Sequence, residues 1–146
     1  KAKAAVVTDV RMVEVGISKA LLIKCGITTH CQIDTPNTAE RAKSDGTTRS
    51  VAAIRELTSH LNGAIAVVGN APTALLALLD MVDAGEVSPA LVIGMPVGFI
   101  ACAESKAELK NIDVPYISIW DKRGGSSAAA ATVNALLGLA VQEVSL

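Results

Sequence analysis

The stretch Ala64 to Leu76 reads AIAVVGNAPTALL and decides the fold. A short apolar run, Ala64 to Val68, ends at Gly69-Asn70, and a helical pattern opens behind Pro72. Proline suits a first helical turn, because its missing N–H would have no intrahelical partner there. The pattern therefore predicts a buried strand, a tight turn and a helix N-terminus. Ligands bind at such turns in open α/β sheets, so Asn70 is a candidate contact, although an ordinary strand-to-helix turn would read the same way.

The composition indicates one domain with a substantial aliphatic core. The chain has 146 residues, 51% of them hydrophobic, with only one Phe, one Tyr and one Trp. Such an aliphatic bias fits β-strands that helices cover on both faces. No apolar run reaches the roughly 18 residues of a membrane span, and a net charge of −1 gives no basic surface for nucleic acid. We expect a single domain over residues 1–146 without a membrane or nucleic-acid partner.

The cysteines indicate a reducing compartment. Cys25, Cys31 and Cys102 are odd in number and not spaced as C-x-x-C, and no basic, apolar leader opens the sequence. These features favour free thiols and a cytoplasmic protein. Cys31 follows His30 directly, but the ligands of structural metal sites normally come as two spaced pairs. We therefore expect no metal.

Strands and helices are predicted to alternate five times along the chain. This order implies a parallel sheet with right-handed crossovers and helices on both faces, a three-layer αβα sandwich. Strands are predicted at Ala4–Thr8, Thr28–Ile33, Ala64–Val68, Ala90–Met95 and Tyr116–Trp120. Helices are predicted from Val10 to Gly16, Ser18 to Lys24, Pro36 to Gly46, Thr47 to Leu61, Pro72 to Gly85, after Gly98 to about Asn111, and Ser126 to about Val144.

Candidate binding segments lie at the ends of four predicted strands, at Thr8-Asp9, Gly69-Asn70, Met95 to Gly98 and Lys122 to Ser126. Because parallel strands bring their carboxyl ends to one edge of the sheet, these segments should lie together. Asp9 is expected to cap the helix that follows it, with a ligand contact also open. The basic, glycine-rich Lys122 to Ser126 segment at a helix N-terminus is typical of an anion-binding nest.

Two helical segments carry further polar residues. Arg49 lies in the first turn of its helix, where a cation and the free N–H groups together favour an anion; a solvated surface arginine fits equally well. Glu104, Ser105 and Lys106 are interpreted as a solvated helix face. Several separate anion-binding positions suggest a ligand with several carboxylates or phosphates. The residues alone show no catalytic triad, so they predict a binder of a polyanionic small molecule and leave an isomerase open.

Seven short segments spread along the chain form an ordered set of motifs. They are TDVRMV at Thr8 to Val13, TRS at Thr48 to Ser50, GNAPTAL at Gly69 to Leu75, IGMPVGF at Ile93 to Phe99, AESK at Ala103 to Lys106, RGGS at Arg123 to Ser126 and AAAATVNAL at Ala128 to Leu136. In content and order they resemble the motifs of the precorrin-8X methylmutase family of cobalamin biosynthesis, and the resemblance covers nearly the whole sequence.

The resemblance implies an intramolecular methyl shift between adjacent carbons of one pyrrole-derived ring. Precorrin-8X or cobalt-precorrin-8 would become the corrin hydrogenobyrinic acid or cobyrinic acid, without a dissociable cofactor. The substrate's many acetate and propionate arms agree with the polyanionic ligand inferred from the residues. The resemblance also implies a flavodoxin-like sheet with strand order 2-1-3-4-5, and a homodimer with the site near the subunit interface.

The resemblance also assigns roles in substrate binding. Arg49 would bind one carboxylate arm, Asn70 and Thr73 would lie under the macrocycle, and Arg123 to Ser126 would bind another arm. Asp9 would either contact substrate or hold loops together, and the same holds for Lys106. The predicted substrate-binding residues are Thr8, Asp9, Arg49, Ser50, Asn70, Thr73, Val97, Gly98, Lys106, Arg123, Gly124, Gly125 and Ser126.

The sequence departs from the family pattern in two places. The family's proton-donating histidine lies upstream of the segment that matches Lys1, and neither His30 nor His60 sits in that motif, so we name no catalytic residue in this sequence. Asp121 stands where the family usually has a glycine. Two alternatives therefore stay open: a non-catalytic tetrapyrrole-binding protein, and a nucleotide or phosphometabolite binder on the same scaffold.

Overall fold

The computed structural model describes residues 4–144, which contain a five-stranded parallel sheet. The strand order is β2-β1-β3-β4-β5, so the predicted flavodoxin-like order and α/β class are confirmed. The chain crosses from one side of β1 to the other between β2 and β3, which makes the β1–β3 junction the switch point of the sheet. The strands are β1 (Val6–Thr8), β2 (Thr29–His30), β3 (Ile65–Val68), β4 (Leu91–Gly94) and β5 (Tyr116–Ser118).

Eight α-helices cover the sheet in the described part of the chain. None of them is long and apolar enough to cross a membrane. The helices are α1 (Arg11–Gly16), α2 (Lys19–Cys25), α3 (Pro36–Asp45), α4 (Arg49–Glu56), α5 (Thr58–Leu61), α6 (Pro72–Asp83), α7 (Cys102–Glu108), which continues as a 3₁₀ turn Leu109–Asn111, and α8 (Ser126–Val144).

Alternation along the strands divides the core into two layers. Val6 and Val67 pack on one face against α1, α2 and α8, whereas Val7 and Ala66 pack on the other against α4, α5, α6 and the 3₁₀ turn. Successive strand residues point to opposite faces, so both faces of the sheet are apolar and buried. This is why the strands read as continuous apolar runs in the sequence.

The structure corrects several predicted boundaries. The segment from Thr47 to Leu61 forms two helices and not one, because Leu57 bonds back to Ile54 in a tighter turn and the Thr58 hydroxyl donates to the carbonyl of Arg55 at 2.6 Å. The strands predicted at Ala4–Thr8, Thr28–Ile33 and Tyr116–Trp120 are each shorter than expected. Ala5, just before β1, still accepts the N–H of Ile65 at 2.9 Å, and β-branched or aromatic composition alone does not indicate where a strand begins and ends.

Candidate functional site

Asp9, directly after β1, is fully buried at the carboxyl edge of the sheet. Its Oδ1 accepts the N–H of Gly69 at 2.9 Å, and its Oδ2 accepts the N–H groups of Asn70 and Ala71 at 3.0 and 2.9 Å. Burial raises the pKa of the Asp9 carboxyl, and these backbone N–H groups act against that rise. Asp9 therefore holds the turn between β3 and α6.

The prediction that Asp9 caps α1 was wrong. Val10 occupies the position before α1, and among the described residues no side-chain hydrogen bond caps that helix. The reason lies in strand order: β1 is beside β3, so the Asp9 side chain reaches the neighbouring turn, where α6 begins and three N–H groups converge. The positive end of the longer helix is also the more favourable place for a carboxylate. The structure supports the loop-holding role that the resemblance left open for this residue.

The start of α4 lies beside the start of α6. Thr48 caps α4 by accepting the N–H of Val51 at 3.2 Å, and its hydroxyl lies 3.4 Å from the hydroxyl of Thr73. Arg49 lies in the first turn of its helix, as predicted, and is exposed; in residues 4–144 its guanidinium has no ion pair or side-chain hydrogen bond. Ser50 follows it and is half-buried. An exposed, unpaired guanidinium therefore stands next to the Thr73 turn.

The loop after β4 provides an apolar rim. Val97 donates its N–H to the carbonyl of Asn70 at 3.4 Å, which joins this loop to the central turn. The backbone is left-handed at Gly98, with φ of 144°, and at Ala101, with φ of 57°. Between them Phe99 is 89% exposed. The segment thus presents a large aromatic surface to solvent beside the polar turn.

Trp120 extends this rim on the side of β5. Its side chain is 53% exposed, and the Nζ of Lys110 lies 4.7 Å from its ring centroid. The Nζ of Lys122 lies 5.3 Å from the centroid of Phe99. Each exposed aromatic ring therefore carries a lysine over its face, an arrangement that attracts both apolar surface and negative charge.

The loop between β5 and α8 is held from below by Lys106. Only 1% of Lys106 is exposed, and its Nζ donates to the carbonyl oxygens of Asp121, at 2.7 Å, and Arg123. The predicted solvated face of Glu104, Ser105 and Lys106 was therefore wrong for the last two residues: Ser105 is also buried, and only Glu104 is exposed. The difference arises because the apolar stem of Lys106 is buried while its Nζ reaches two backbone carbonyls.

Glycines bring the same loop against the end of β4. Gly125 donates its N–H to the carbonyl of Met95 at 2.8 Å, and a Cβ at Gly124 would collide with that oxygen. A Cβ at Gly69 would lie 3.1 Å from the Cα of Ser126, so the α8 start also reaches the central turn. Arg123 is exposed, and its guanidinium is unpaired within the described residues.

These contacts form one continuous set around the carboxyl edge. Most of the predicted site residues either make these contacts themselves or are next in the chain to a residue that does. Thr8 differs, because it is fully buried, and its hydroxyl lies near the thiol of Cys31. Burial raises the pKa of that thiol, and Thr8 is among the groups that act against the rise. Phe99, Trp120 and Thr48 were not among the predicted site residues; the TRS segment could have indicated Thr48 as a cap.

The two histidines lie elsewhere. His30, at the end of β2, lies against His60 of α5 with the ring centroids 4.1 Å apart and the ring planes tilted by 42°, and the hydrogen bonds of these rings go to Thr28 and Ser59. Within residues 4–144 these ring contacts do not reach Asp9, Arg49 or the turn at Asn70. In residues 4–144 no three His, Cys, Asp or Glu side chains are grouped so that they could hold a metal ion.

The histidine pair predicts a pH dependence of stability. Burial and the neighbouring His60 lower the pKa of His30, against the opposing charge of Glu14. The unfolded chain therefore binds this proton more readily, and the stabilising contribution is present above the ordinary pKa of about 6.5 and lost as the pH falls below it. His60→Gln should make the fall in melting temperature between about pH 7 and about pH 5 shallower than in the wild type. Circular-dichroism melts test this; parallel pH profiles would contradict it.

A known protein family matches this chain over most of its length. The family model described as "CbiC: Precorrin-8X methylmutase" matches residues 1–139. The chain belongs to the precorrin-8X methylmutase family. Within that family, the cobalt-precorrin-8 methylmutase of Priestia megaterium is 43% identical over 135 residues, which cover 92% of this chain and 60% of that relative. The precorrin-8X methylmutase of Pseudomonas aeruginosa is 44% identical over 137 residues, covering 92% of this chain and 65% of the relative.

A solved structure of a precorrin-8X methylmutase has the same fold. The enzyme from Thermus thermophilus superposes with a TM-score of 0.87 at 36% identity, covering 97% of this chain and 69% of that one. A second structure, described as a precorrin-8X methylmutase related protein, gives a TM-score of 0.83 at 33% identity and covers 93% of this chain and 71% of that one. The chain spans about 60–65% of the length of the two curated methylmutases above.

Proposed function

We propose that this protein acts in cobalamin biosynthesis as an isomerase that moves a methyl group within precorrin-8X or cobalt-precorrin-8, giving hydrogenobyrinic or cobyrinic acid. Several of the family's motifs lie close together at one edge of the sheet, and this arrangement supports the proposal. There Asp9 binds the GNAPT turn, Thr48 lies against Thr73, and Gly125 bonds to Met95. The protein is then a binder of a large polycarboxylate macrocycle.

The chemistry of this edge fits such a ligand. Arg49 at the start of α4 and Arg123 in the loop before α8 are exposed cations without an ion pair in residues 4–144, so they can bind two separate carboxylate arms. Phe99 and Trp120 offer aromatic surface for a flat ring system, and Gly98 allows close approach of the backbone. Asn70 and Thr73 are exposed on the central turn, where they can hydrogen-bond to the ring substituents.

The chain's own residues account for binding and orientation in this proposal. A methyl shift of this kind needs a proton delivered to the macrocycle and later removed. A histidine can act as the general acid and base for these steps near neutral pH. The contacts of His30 and His60 are with each other, Thr28 and Ser59. We therefore give neither of them the proton-transfer role, which the resemblance places upstream of the segment matching Lys1.

The reaction is tested by anaerobic absorbance assay. The protein expressed from its complete reading frame should convert precorrin-8X into hydrogenobyrinic acid, with the change in absorption that accompanies formation of the corrin. The product should also bind at the carboxyl edge. Binding without conversion would favour a non-catalytic tetrapyrrole binder, and binding of nucleotides in place of corrins would overturn the proposal.

Arg49→Ala tests the first carboxylate contact. Loss of one charge-assisted hydrogen bond should weaken binding of hydrogenobyrinic acid by about 1–3 kcal/mol. Arg55→Ala is the matched control, because Arg55 is an exposed arginine near the other end of the same helix. Titration calorimetry measures both. Equal affinities of the wild type and Arg49→Ala would remove Arg49 from the site.

The proposal extends to assembly and location. We infer a homodimer with the site near the subunit interface and a cytoplasmic enzyme, both on the basis of family resemblance. The exposed apolar residues Met12 and Val15 of α1 and Leu139 of α8 are compatible with an interface. Light scattering after size-exclusion chromatography tests the dimer, and a monomer at micromolar concentration would contradict it.

A further inference from the structure

Lys106 is a buried lysine whose partners are backbone carbonyls. It is among the largest side chains that are almost completely buried, and its Nζ donates to the carbonyls of Asp121 and Arg123. Within residues 4–144 no carboxylate lies within ion-pair distance of it. Burying an amine of this kind is costly unless its donors are used. Both carbonyl groups that accept hydrogen bonds from Lys106 lie in the loop between β5 and α8, so Lys106 stabilises this loop.

The bonds to Lys106 fix the orientation of two peptide planes. In a trans peptide the C=O and the following N–H point in opposite directions, and the described chain contains no cis peptide. The carbonyls of Asp121 and Arg123 point inward to Nζ, so the N–H groups of Lys122 and Gly124 point away from it. Asp121 adopts the left-handed backbone conformation, with φ of 66°, and its carbonyl and that of Arg123 both meet the same Nζ.

The other side of the loop is fixed by β4. Gly125 uses its own N–H for the carbonyl of Met95, and Gly124 packs against the carbonyls of Met95 and Pro96. These contacts leave little freedom for the loop to slide along the sheet edge. The N–H groups of Lys122 and Gly124, by contrast, have no backbone partner among the turn and loop hydrogen bonds of the described chain.

We propose that Lys106 is a positioning residue that orients the loop from Asp121 to Gly124 so that the N–H groups of Lys122 and Gly124 bind a carboxylate arm of the macrocycle. This inference rests on the proposed function, because the ligand is its polycarboxylate. Lys106 acts through the backbone and does not touch the ligand. Its effect should therefore be specific for the negative charge of the ligand's arms.

The test compares two ligands on the complete protein. Cobyrinic acid carries free carboxylates, whereas its fully amidated counterpart has the same ring without those charges. Lys106→Met keeps the length of the side chain and removes its donors. It should raise the Kd for cobyrinic acid about tenfold and change the Kd for the amide less than about twofold. Lys43→Met, at an exposed lysine of α3, controls for the loss of one positive charge and should change neither value.

A second variant covers the case in which Lys106→Met does not fold. Lys106→Gln keeps an N–H donor without the charge, and relative to the wild type it should raise the Kd for cobyrinic acid by less than about tenfold and leave the Kd for the amide unchanged. Amide NMR gives an independent readout, because the N–H resonances of Lys122 and Gly124 should shift when cobyrinic acid is added to the wild type.

The outcomes separate the two proposals. Wild-type protein that binds neither ligand would overturn the proposed function and this inference with it. Wild-type binding combined with equal losses for both ligands, with no loss, or with unshifted Lys122 and Gly124 resonances would overturn the role of Lys106 alone. A selective loss for the carboxylate ligand supports it.

Discussion

Asp9→Ala is expected to lower the free energy of unfolding by about 2–4 kcal/mol, measured by urea denaturation followed by circular dichroism. The carboxylate accepts three backbone N–H groups at the start of α6, and alanine would leave them without partners. The Gly69 N–H lies in a buried environment where water does not replace the lost acceptor. Part of the loss is offset, because the desolvation cost of the buried carboxyl also disappears.

Binding should fall together with stability in this variant. The turn that Asp9 holds carries Asn70 and Thr73, so a relaxed turn would no longer present both side chains in one orientation. Asp34→Ala is the matched control, since Asp34 is an exposed aspartate whose partner is the surface residue Arg11. Its unfolding curve should nearly coincide with that of the wild type. Equal losses in the two variants would show that the three N–H bonds contribute nothing specific.

Gly124→Ala is expected to displace the loop before α8, at a cost of about 3 kcal/mol, and to abolish binding of the corrin product. A Cβ at this position would overlap the carbonyl oxygen of Met95 and lie 2.8 Å from that of Pro96. Both obstacles are backbone atoms at the end of β4, which cannot rotate away. The backbone φ of 148° is also strained for any residue with a side chain.

Trp120 reports on this displacement. It is the protein's single tryptophan and lies half-exposed just before the loop, so its fluorescence should change when the loop moves. Gly138→Ala is the control: a Cβ there meets no atom within 4 Å, and in the interior of α8 alanine should raise the free energy of unfolding by about 0.5–1 kcal/mol. Wild-type fluorescence and affinity in Gly124→Ala would contradict the close packing of this loop.

The order and nature of the main elements could be predicted because each carries local signals. Pro72 and Gly85 bracket α6, Ser18 and Gly26 bracket α2, and the apolar run before Gly69 is long enough to specify a buried strand. Strand order could not be derived in this way. The strand order was predicted from the resemblance to the family, because the sequence of a parallel strand does not specify which strand it pairs with.

The roles of Asp9 and Lys106 illustrate what local reasoning could not supply. Both were placed correctly along the chain, but each acts on a segment that is remote in sequence: Asp9 on the turn at Gly69, and Lys106 on the loop at Asp121. From the sequence alone, a polar residue near a helix start is interpreted as a cap or as a solvated side chain, because its neighbours in space are not known. The position of Arg49 in the first turn of its helix was also predicted correctly, because it depends only on where α4 begins.

The two outer strands have a consequence for how the sheet meets other chains. β2 has two residues and β5 has three, so an incoming strand could add only one or two ladder hydrogen bonds at either side. Unpaired strand edges are the usual templates for aggregation, and shortening them is one way in which proteins avoid it. The longest strands, β3 and β4, lie in the middle of the sheet, so the two short outer strands limit the addition of a strand from a second chain.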